Sequence, residues 1–174
     1  MDEQPYQKPA PQTGQIDQMR LQMLMNQIRD NQNLSLAVIG GLAASLIGTA
    51  IWAAITYFTN YQLGVIAIGV GFLVGFTVRR LGNGVDRAFG MVGGILSLLG
   101  CAAGNLMTVC VIIADQNGIS FMSVLGELTP DIAWELMVES FNVFDLIFYA
   151  LAAYYGYRTS LRTLTEEEIR SVMR

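Results

Sequence analysis

The sequence predicts an all-α integral membrane protein whose core is a bundle of four transmembrane helices. Its 174 residues are 53% hydrophobic and only 14% charged, against about 25% charged in an ordinary soluble domain. The charged residues are confined to a few segments, and the basic ones all fall on one side of the predicted spans. A soluble protein with buried helices is the alternative, but its charge-free runs would be only about 10–14 residues long.

The spans are predicted from three long runs of low charge. From Asn31 to Val78 the chain has no Asp, Glu, Lys or Arg, and as one helix this run would be about 72 Å long. A hydrocarbon core is about 30 Å thick, so the run holds two spans and a turn. A second run covers 88–114, and a third, 141–157, has Asp145 as its single charge. We therefore predict a transmembrane domain over 34–158, with spans at about 35–58, 62–79, 88–114 and 141–158.

The basic residues predict the orientation of the bundle. If the N-terminus is cytoplasmic, four spans place all ten Lys and Arg residues on the inner side, in agreement with the positive-inside rule. The long outer connection, 115–140, contains five acidic residues and no basic one. Both termini are thus expected in the cytoplasm, with no cleavable signal peptide. The residues expected to anchor the spans at the inner surface are Arg79, Arg80, Arg87 and Arg158.

The segments at the two ends of the chain carry separate predictions. Residues 1–13 contain three prolines and few apolar side chains, which is typical of disorder. Residues 14–33 form an amphipathic cytoplasmic helix that leads into the first span. Residues 159–174 form a cytoplasmic C-terminal helix, which begins with a capping box between Thr165 and Glu168.

The outer segment is amphipathic. Thr129 and Pro130 are typical of a helix cap followed by a proline in the first turn. Beyond them, apolar residues recur at intervals of three and four, and acidic residues lie on a separate stripe. Two arrangements are open: one helix over about 131–158, or an outer surface helix that turns into the span. The acidic stripe is expected to face solvent, with a cation or a basic partner as the alternative.

Small residues recur at four-residue spacing inside the spans. Because helices in lipid gain nothing from burying apolar surface against each other, close packing must hold them together, and small residues collect at the contacts. Each row lies on one helix face and predicts tight crossings within the bundle or between copies. A pore lined by glycine backbone is the alternative, but conducting paths usually also show rings of polar side chains. The packing positions are Gly40, Ala44, Gly48, Ala67, Gly71, Gly75, Gly90, Gly94, Gly100 and Gly104, with Gly93, Ser97, Ala152 and Gly156 in the same pattern.

Two polar residues within the spans are candidates for function. Asp145 lies about 7 Å inside the fourth span, and an ionisable group there is a functional hypothesis because its burial is costly. It could take up a proton or bind a cation, or it could reach the headgroups or bond to a neighbouring helix. We expect Asn105 to bond across to another helix, with Ser45 or Thr49 as partner, and the lining of a polar path is the alternative.

The sequence gives no indication of catalysis. Histidine, the commonest metal ligand and general base, is absent. Cys101 and Cys110 are about 13 Å apart along one helix, so they cannot bridge to each other and are interpreted as apolar fillers. No nucleophile–base pair, phosphate loop or metal-ligand spacing is present, so we expect no enzyme and no cofactor. The net charge of −4 does not predict a nucleic-acid partner.

Three stretches carry a resemblance: AIWAAITYFTNYQLGVIAIGVGFLVGFTVR (50–79), LGCAAGNL (99–106) and FDLIFYALAAYYGYR (144–158). They resemble small bacterial membrane proteins of uncharacterised function. The resemblance covers about 35–158 and implies a location in the bacterial inner membrane, but it brings no activity or binding residues. Some of those proteins carry an N-terminal zinc ribbon, whereas this chain has no CxxC there.

We therefore expect a non-enzymatic structural, accessory or assembly component that packs with itself or with other membrane proteins. The expected partners are the lipid bilayer and either further copies of the chain or a larger membrane complex. The alternative is a small transporter or channel that uses Asp145 and Asn105.

Overall fold

The computed structural model describes residues 18–59 and 64–172, and within these ranges all regular secondary structure is helical. The predicted disordered segment 1–13, the start of the predicted N-terminal helix and residues 173–174 lie outside the described residues. The helices are α1 (Gln18–Asp30), α2 (Leu34–Thr59), α3 (Val65–Gly82), α4 (Arg87–Asn117), α5 (Phe121–Glu127), α6 (Pro130–Ser140), α7 (Val143–Ser160) and α8 (Glu166–Val172).

Three helices, α2, α3 and α4, are long and apolar enough to cross a membrane, and α6 with α7 adds a fourth span if this bent pair is counted as one. The helices differ in length: α2 has 26 residues and α4 has 31, whereas α3 and α7 have 18 each. At 1.5 Å per residue the longer two are about 39 and 46 Å long, and the shorter two about 27 Å. A multi-pass helical bundle is the architecture that these lengths and compositions indicate.

Helices α3, α4 and α7 meet at Gly75, Gly93 and Gly156. A Cβ atom added to Gly156 would lie 2.7 Å from the carbonyl oxygen of Gly93, and one added to Gly75 would lie 2.8 Å from the carbonyl oxygen of Gly156. One turn further along α3, a Cβ on Gly71 would lie 2.5 Å from the carbonyl oxygen of Ala152. These distances are too short for any side chain, so the three backbones touch directly, as small residues allow in lipid.

Hydroxyl groups join α2 to α4. Ser45 donates to the carbonyl oxygen of Leu96 at 3.1 Å, and Thr49 donates to that of Gly100 at 3.1 Å. Since both positions advance by four residues in the same direction, α2 and α4 run parallel. One turn further, a Cβ on Gly104 would meet the Trp52 ring at 3.1 Å. The α2–α4 seam is therefore held by polar bonds in its first half and by ring packing beyond them.

The predicted packing positions all lie near a neighbouring helix. Ala44 and Ala67 are buried, and a Cβ added to any glycine of the predicted rows would have another residue within 4 Å. By contrast, Gly69 of α3 has nothing within 4 Å of an added Cβ. The neighbours not named above are Leu81 for Gly40, Val70 for Gly48, Tyr157 for Gly90, Ala153 for Gly94 and Ser45 for Gly100.

The two terminal helices lie at the same end of the bundle, because α1 contacts α8. The turn between α3 and α4 lies at this end too, and Asn83 supports it with a left-handed backbone conformation (φ 49°). Contacts from both ends of the chain reach this region: Asn33 N–H to Gly82 carbonyl (3.0 Å), Arg29 to Asp86 (3.3 Å), Arg162 N–H to Gly84 carbonyl (2.8 Å) and Arg79 to Thr163 (3.0 Å).

The opposite end holds the bent pair. The predicted cap is present, since Thr129 accepts a hydrogen bond from the Ile132 N–H (3.4 Å) and Pro130 begins α6. Over 131–158 the structure has two helices and not one: α6 and α7 are separate and bend by 106°. Helix α5 lies in the outer connection, where the sequence pattern predicted no helix. Because the long helices meet at the end that holds α1 and α8, the extra length of α2 and α4 projects toward the end that holds the bent pair.

A carboxylate fixes the start of α8. Glu168 accepts a hydrogen bond from the Thr165 N–H (2.8 Å) and pairs with Arg162 (2.7 Å). The pKa of Glu168 is held below its ordinary value, mainly by the Thr165 N–H and further by Arg162. The charged carboxylate therefore stabilises this turn above about pH 4.5, and the contribution is lost as the pH falls through the lowered pKa.

Gly156→Ala is expected to lower the stability of the bundle by about 1–3 kcal/mol, because the added methyl group overpacks the contact with Gly93. Gly69→Ala is the matched control, with the same chemical change at an open helical position, and it should be neutral or stabilising by up to about 1 kcal/mol. Thermal unfolding of both variants in detergent measures the difference. Equal effects of the two substitutions would contradict the glycine contact.

The Thr165 amide proton should report the titration of Glu168. Its NMR shift is expected to change with a midpoint below pH 4.5, and Glu168→Gln should remove that transition because the neutral amide does not titrate. Glu166→Gln, which changes an exposed carboxylate of the same turn, is the control. A wild-type midpoint at or above pH 4.5 would contradict the assignment.

Candidate functional site

Buried polar groups continue along the α2–α4 seam beyond Thr49. Trp52 and Thr56 on α2 and Thr108 on α4 are each at most 3% exposed. Among residues 18–59 and 64–172, the Trp52 indole N–H and the two threonine hydroxyls have no hydrogen-bond partner. Unpaired polar groups in an apolar interior cost free energy, and buried water commonly pairs with such groups. This part of the seam can therefore take up water or another small hydrogen-bonding molecule.

Asn105 has a different partner from the two that the sequence suggested. It is 2% exposed and donates to the Ser140 hydroxyl (3.3 Å), which ties α4 to the end of α6. The parallel register explains the difference: Ser45 and Thr49 meet α4 at Leu96 and Gly100, which precede Asn105 by about 2.5 and 1.4 turns. Nearby, the Tyr149 hydroxyl of α7 donates to the Cys101 carbonyl oxygen (3.3 Å).

Asp145 is the third residue of α7 and belongs to a capping box. Its carboxylate accepts from the Asn142 N–H (2.9 Å), and the Asn142 side chain accepts from the Phe144 N–H (3.2 Å). Because α7 begins at Val143, Asp145 lies at a helix end and not 7 Å inside a continuous helix. The positive end of the helix dipole and the free backbone N–H groups give the carboxylate a structural role.

The four predicted anchor residues lie at the end of the bundle that holds α1 and α8. Arg79 and Arg80 are in the last turn of α3, Arg87 begins α4, and Arg158 is in the last turn of α7. The Arg80 guanidinium lies 5.1 Å from the centroid of the Phe76 ring, and Arg158 donates to the Tyr154 hydroxyl (2.7 Å). Long cationic side chains on aromatic rings are typical of membrane interfaces.

Two cavities open beside the half of the α2–α4 seam that lies farther from α1 and α8. The smaller one, about 230 Å³, has Thr56, Asp115 and Gln116 among its lining residues. The larger one, about 670 Å³, is an open groove with mainly apolar walls. Tyr57, Val111 and Asp115 line both cavities. The unpaired Thr56 hydroxyl and the exposed Asp115 carboxylate are therefore connected by a space large enough for water.

The residues of this site offer hydrogen bonding and little else. Among residues 18–59 and 64–172, no group of three His, Cys, Asp or Glu side chains could hold a metal ion. Cys101 and Cys110 are free and buried. Asn105 was predicted from the sequence as a polar candidate, whereas Trp52, Thr56 and Thr108 were not. The sequence does carry a signal for the two residues on α2. Ser45, Thr49, Trp52 and Thr56 follow one another at helical intervals of four, three and four.

The fold and the site define an all-helical protein of the multi-pass membrane class with a polar seam between two parallel helices. In comparison with known proteins, no family model matches this chain. No curated protein and no solved structure matches it either. The resemblance to small bacterial membrane proteins stays a prediction, and the function has to be argued from the chain's own residues.

The capping role of Asp145 predicts a graded response to substitution. Asn142→Ala should destabilise α7 by about 1 kcal/mol because an N-cap acceptor is lost. Asp145→Asn should cost less than Asp145→Ala, since the amide oxygen can still accept from the Asn142 N–H. Thermal unfolding in detergent measures all three variants. Equal losses for Asp145→Asn and Asp145→Ala would contradict the capping role.

Proposed function

We propose that the chain is a four-span protein of the bacterial inner membrane with both termini in the cytoplasm. The contact between α1 and α8 supports an even number of crossings, because it holds the first and the last described helix at the same end of the bundle. The basic residues cluster at that end, and the outer connection is acidic. Large apolar side chains are exposed along all four long helices, as lipid contact requires.

Within the membrane, we propose a non-enzymatic role as a structural, accessory or assembly component that packs with itself or with other membrane proteins. The observation that carries this proposal is the uncovered apolar face of α6. Trp134 is 70% exposed, and Val138 and Phe141 beside it are exposed as well. The face of α6 that packs toward the bundle carries the partly buried Ala133, Leu136 and Met137. The exposed apolar side chains are therefore available to another protein at the outer surface.

The acidic residues of α6 define what such a partner offers. Asp131, Glu135 and Glu139 are exposed and lie at four-residue spacing beside the apolar face. A docking surface with an apolar centre and a charged rim is typical of protein interfaces, and acidic rims favour partners with complementary positive charge.

Site-specific photocrosslinking tests this role. With p-benzoylphenylalanine in place of Trp134, we expect a discrete protein adduct in cells, either with a second copy of the chain or with another membrane protein. The same amino acid in place of Met91, an apolar residue near the start of α4 that is also exposed, should give lipid adducts only. Purification in nanodiscs, with identification of every chain that co-purifies, then shows which partner is involved. Lipid adducts alone at position 134, together with a monomeric mass in nanodiscs, would contradict the proposal.

A second candidate function is transport, and one observation favours it. The unpaired groups of Trp52, Thr56 and Thr108 lie in the α2–α4 seam, and the cavity beside Thr56 reaches the exposed Asp115. A transporter that uses Asp145 and Asn105 would show proton or ion flux in proteoliposomes, and Asp145→Asn would abolish it. An accessory protein should give flux equal to that of empty liposomes, with or without the substitution.

A further inference from the structure

The larger α2–α4 cavity is an apolar groove with one polar end. Its α2 wall contains Ala50, Ala53 and Ala54, and its α4 wall contains Met107, Val111 and Ala114. Alanine side chains leave space that larger residues would fill, so the two helices stay joined while the surface between them is hollow. At its outer end the groove is lined by Tyr57 and Asp115. Its shape and lining suit a molecule that is apolar along its length and polar at the end beside Asp115.

The dimensions of the groove suit a lipid tail. Its α2 wall runs from Leu46 to Phe58, which is about 18 Å along the helix. The groove has a volume of about 670 Å³, its walls are mainly apolar and it is open along one side. A flexible hydrocarbon chain, whose atoms make contacts at about 4 Å, can lie along this length and adapt to the shape of the hollow, whereas a rigid transmembrane helix could insert only individual side chains.

The charge at the mouth selects among lipids. Asp115 is exposed at the groove's outer end, and no Lys or Arg lies between Ala88 and Tyr157 to neutralise the acidic residues there. An ammonium group beside Asp115 would be attracted, whereas a headgroup with a net negative charge would be repelled. Because the carboxylate is exposed to water, the attraction is modest and corresponds to a preference of about two- to five-fold.

We propose that this groove binds the acyl chain of an outer-leaflet phospholipid with an amine headgroup, with the ammonium group beside Asp115. Phosphatidylethanolamine has the required chemistry. The site rests on the membrane location proposed above and is independent of the accessory role. The acyl chain fills the space between the two long helices beside the unpaired hydroxyl of Thr56, which is part of the neighbouring cavity.

Native mass spectrometry of the full chain tests the site. The protein is reconstituted in vesicles of equal parts phosphatidylethanolamine and phosphatidylglycerol, extracted gently and examined for retained lipid. We expect wild type to retain phosphatidylethanolamine about two to five times more than phosphatidylglycerol. Asp115→Asn should bring the ratio to about one, and Glu127→Gln, which changes an exposed outer acid away from the groove, should leave it unchanged.

A groove-filling variant tests the acyl chain separately from the headgroup. Ala53→Phe should lose retained lipid of both kinds, whereas Ala43→Phe, on an exposed face of the same helix, should retain it as wild type does. Thermal unfolding confirms that both variants are folded. If Ala53→Phe unfolds, the Asp115→Asn ratio still decides, because that residue is exposed.

Several results would overturn the site. Equal retention of the two lipids by wild type would remove the headgroup preference, and full retention by folded Ala53→Phe would remove the groove. A wild-type dimer that Ala53→Phe converts to a monomer would make the groove an interface between copies. Failure of the membrane location is distinguishable, because alkaline carbonate would then release the chain from membranes as a soluble protein.

Discussion

At Gly75, Gly93 and Gly156 the backbones of α3, α4 and α7 touch without a side chain between them. In water such a contact would gain little, because glycine weakens helices and buries little apolar surface. In lipid such a contact stabilises the bundle, since close approach of backbones is a main source of attraction between helices. The contact fixes three of the four long helices, and the positions of the remaining elements follow from it.

The fourth long helix, α2, is held in another way, and this produces the open surfaces of the molecule. Two hydroxyl-to-carbonyl bonds join the first half of α2 to α4, and beyond them alanines line a groove. The bend between α6 and α7 leaves the apolar face of α6 uncovered at the same end. A tightly packed centre with hollow and apolar outer surfaces suits a protein that acts by contact with lipid and with other chains.

Much of the architecture could be predicted from the sequence, because charge segregation depends on lipid and not on the details of packing. The long helices and the positions of their small residues follow from composition and spacing alone. The partners of those residues do not, since they depend on the register between helices that are far apart in sequence. Asn105 illustrates this: its burial follows from its place in a span, but its bond to Ser140 requires the bend that ends α6.

Local features of the sequence and structure explain the remaining differences between the predicted and the observed helices. The break before α7 is encoded by Asn142 and Asp145, which form a capping box, but the apolar residues around them read as a continuous span. Helix α5 is only 7 residues long, and a short helix has little periodicity to detect. The groove could not be predicted, because it arises from space that α2 and α4 leave between them in three dimensions.

The proposed membrane setting requires lipid around the bundle, with α8 on one side of the membrane and the outer connection on the other. Labelling of single cysteines with a membrane-impermeant maleimide tests this directly. Ser123→Cys in α5 and Glu167→Cys in α8, both exposed positions, are introduced one at a time into a chain whose Cys101 and Cys110 are replaced by alanine. In intact spheroplasts we expect label at position 123 only, and after lysis at both positions. Label at position 167 in intact spheroplasts, or no label at position 123, would contradict the account.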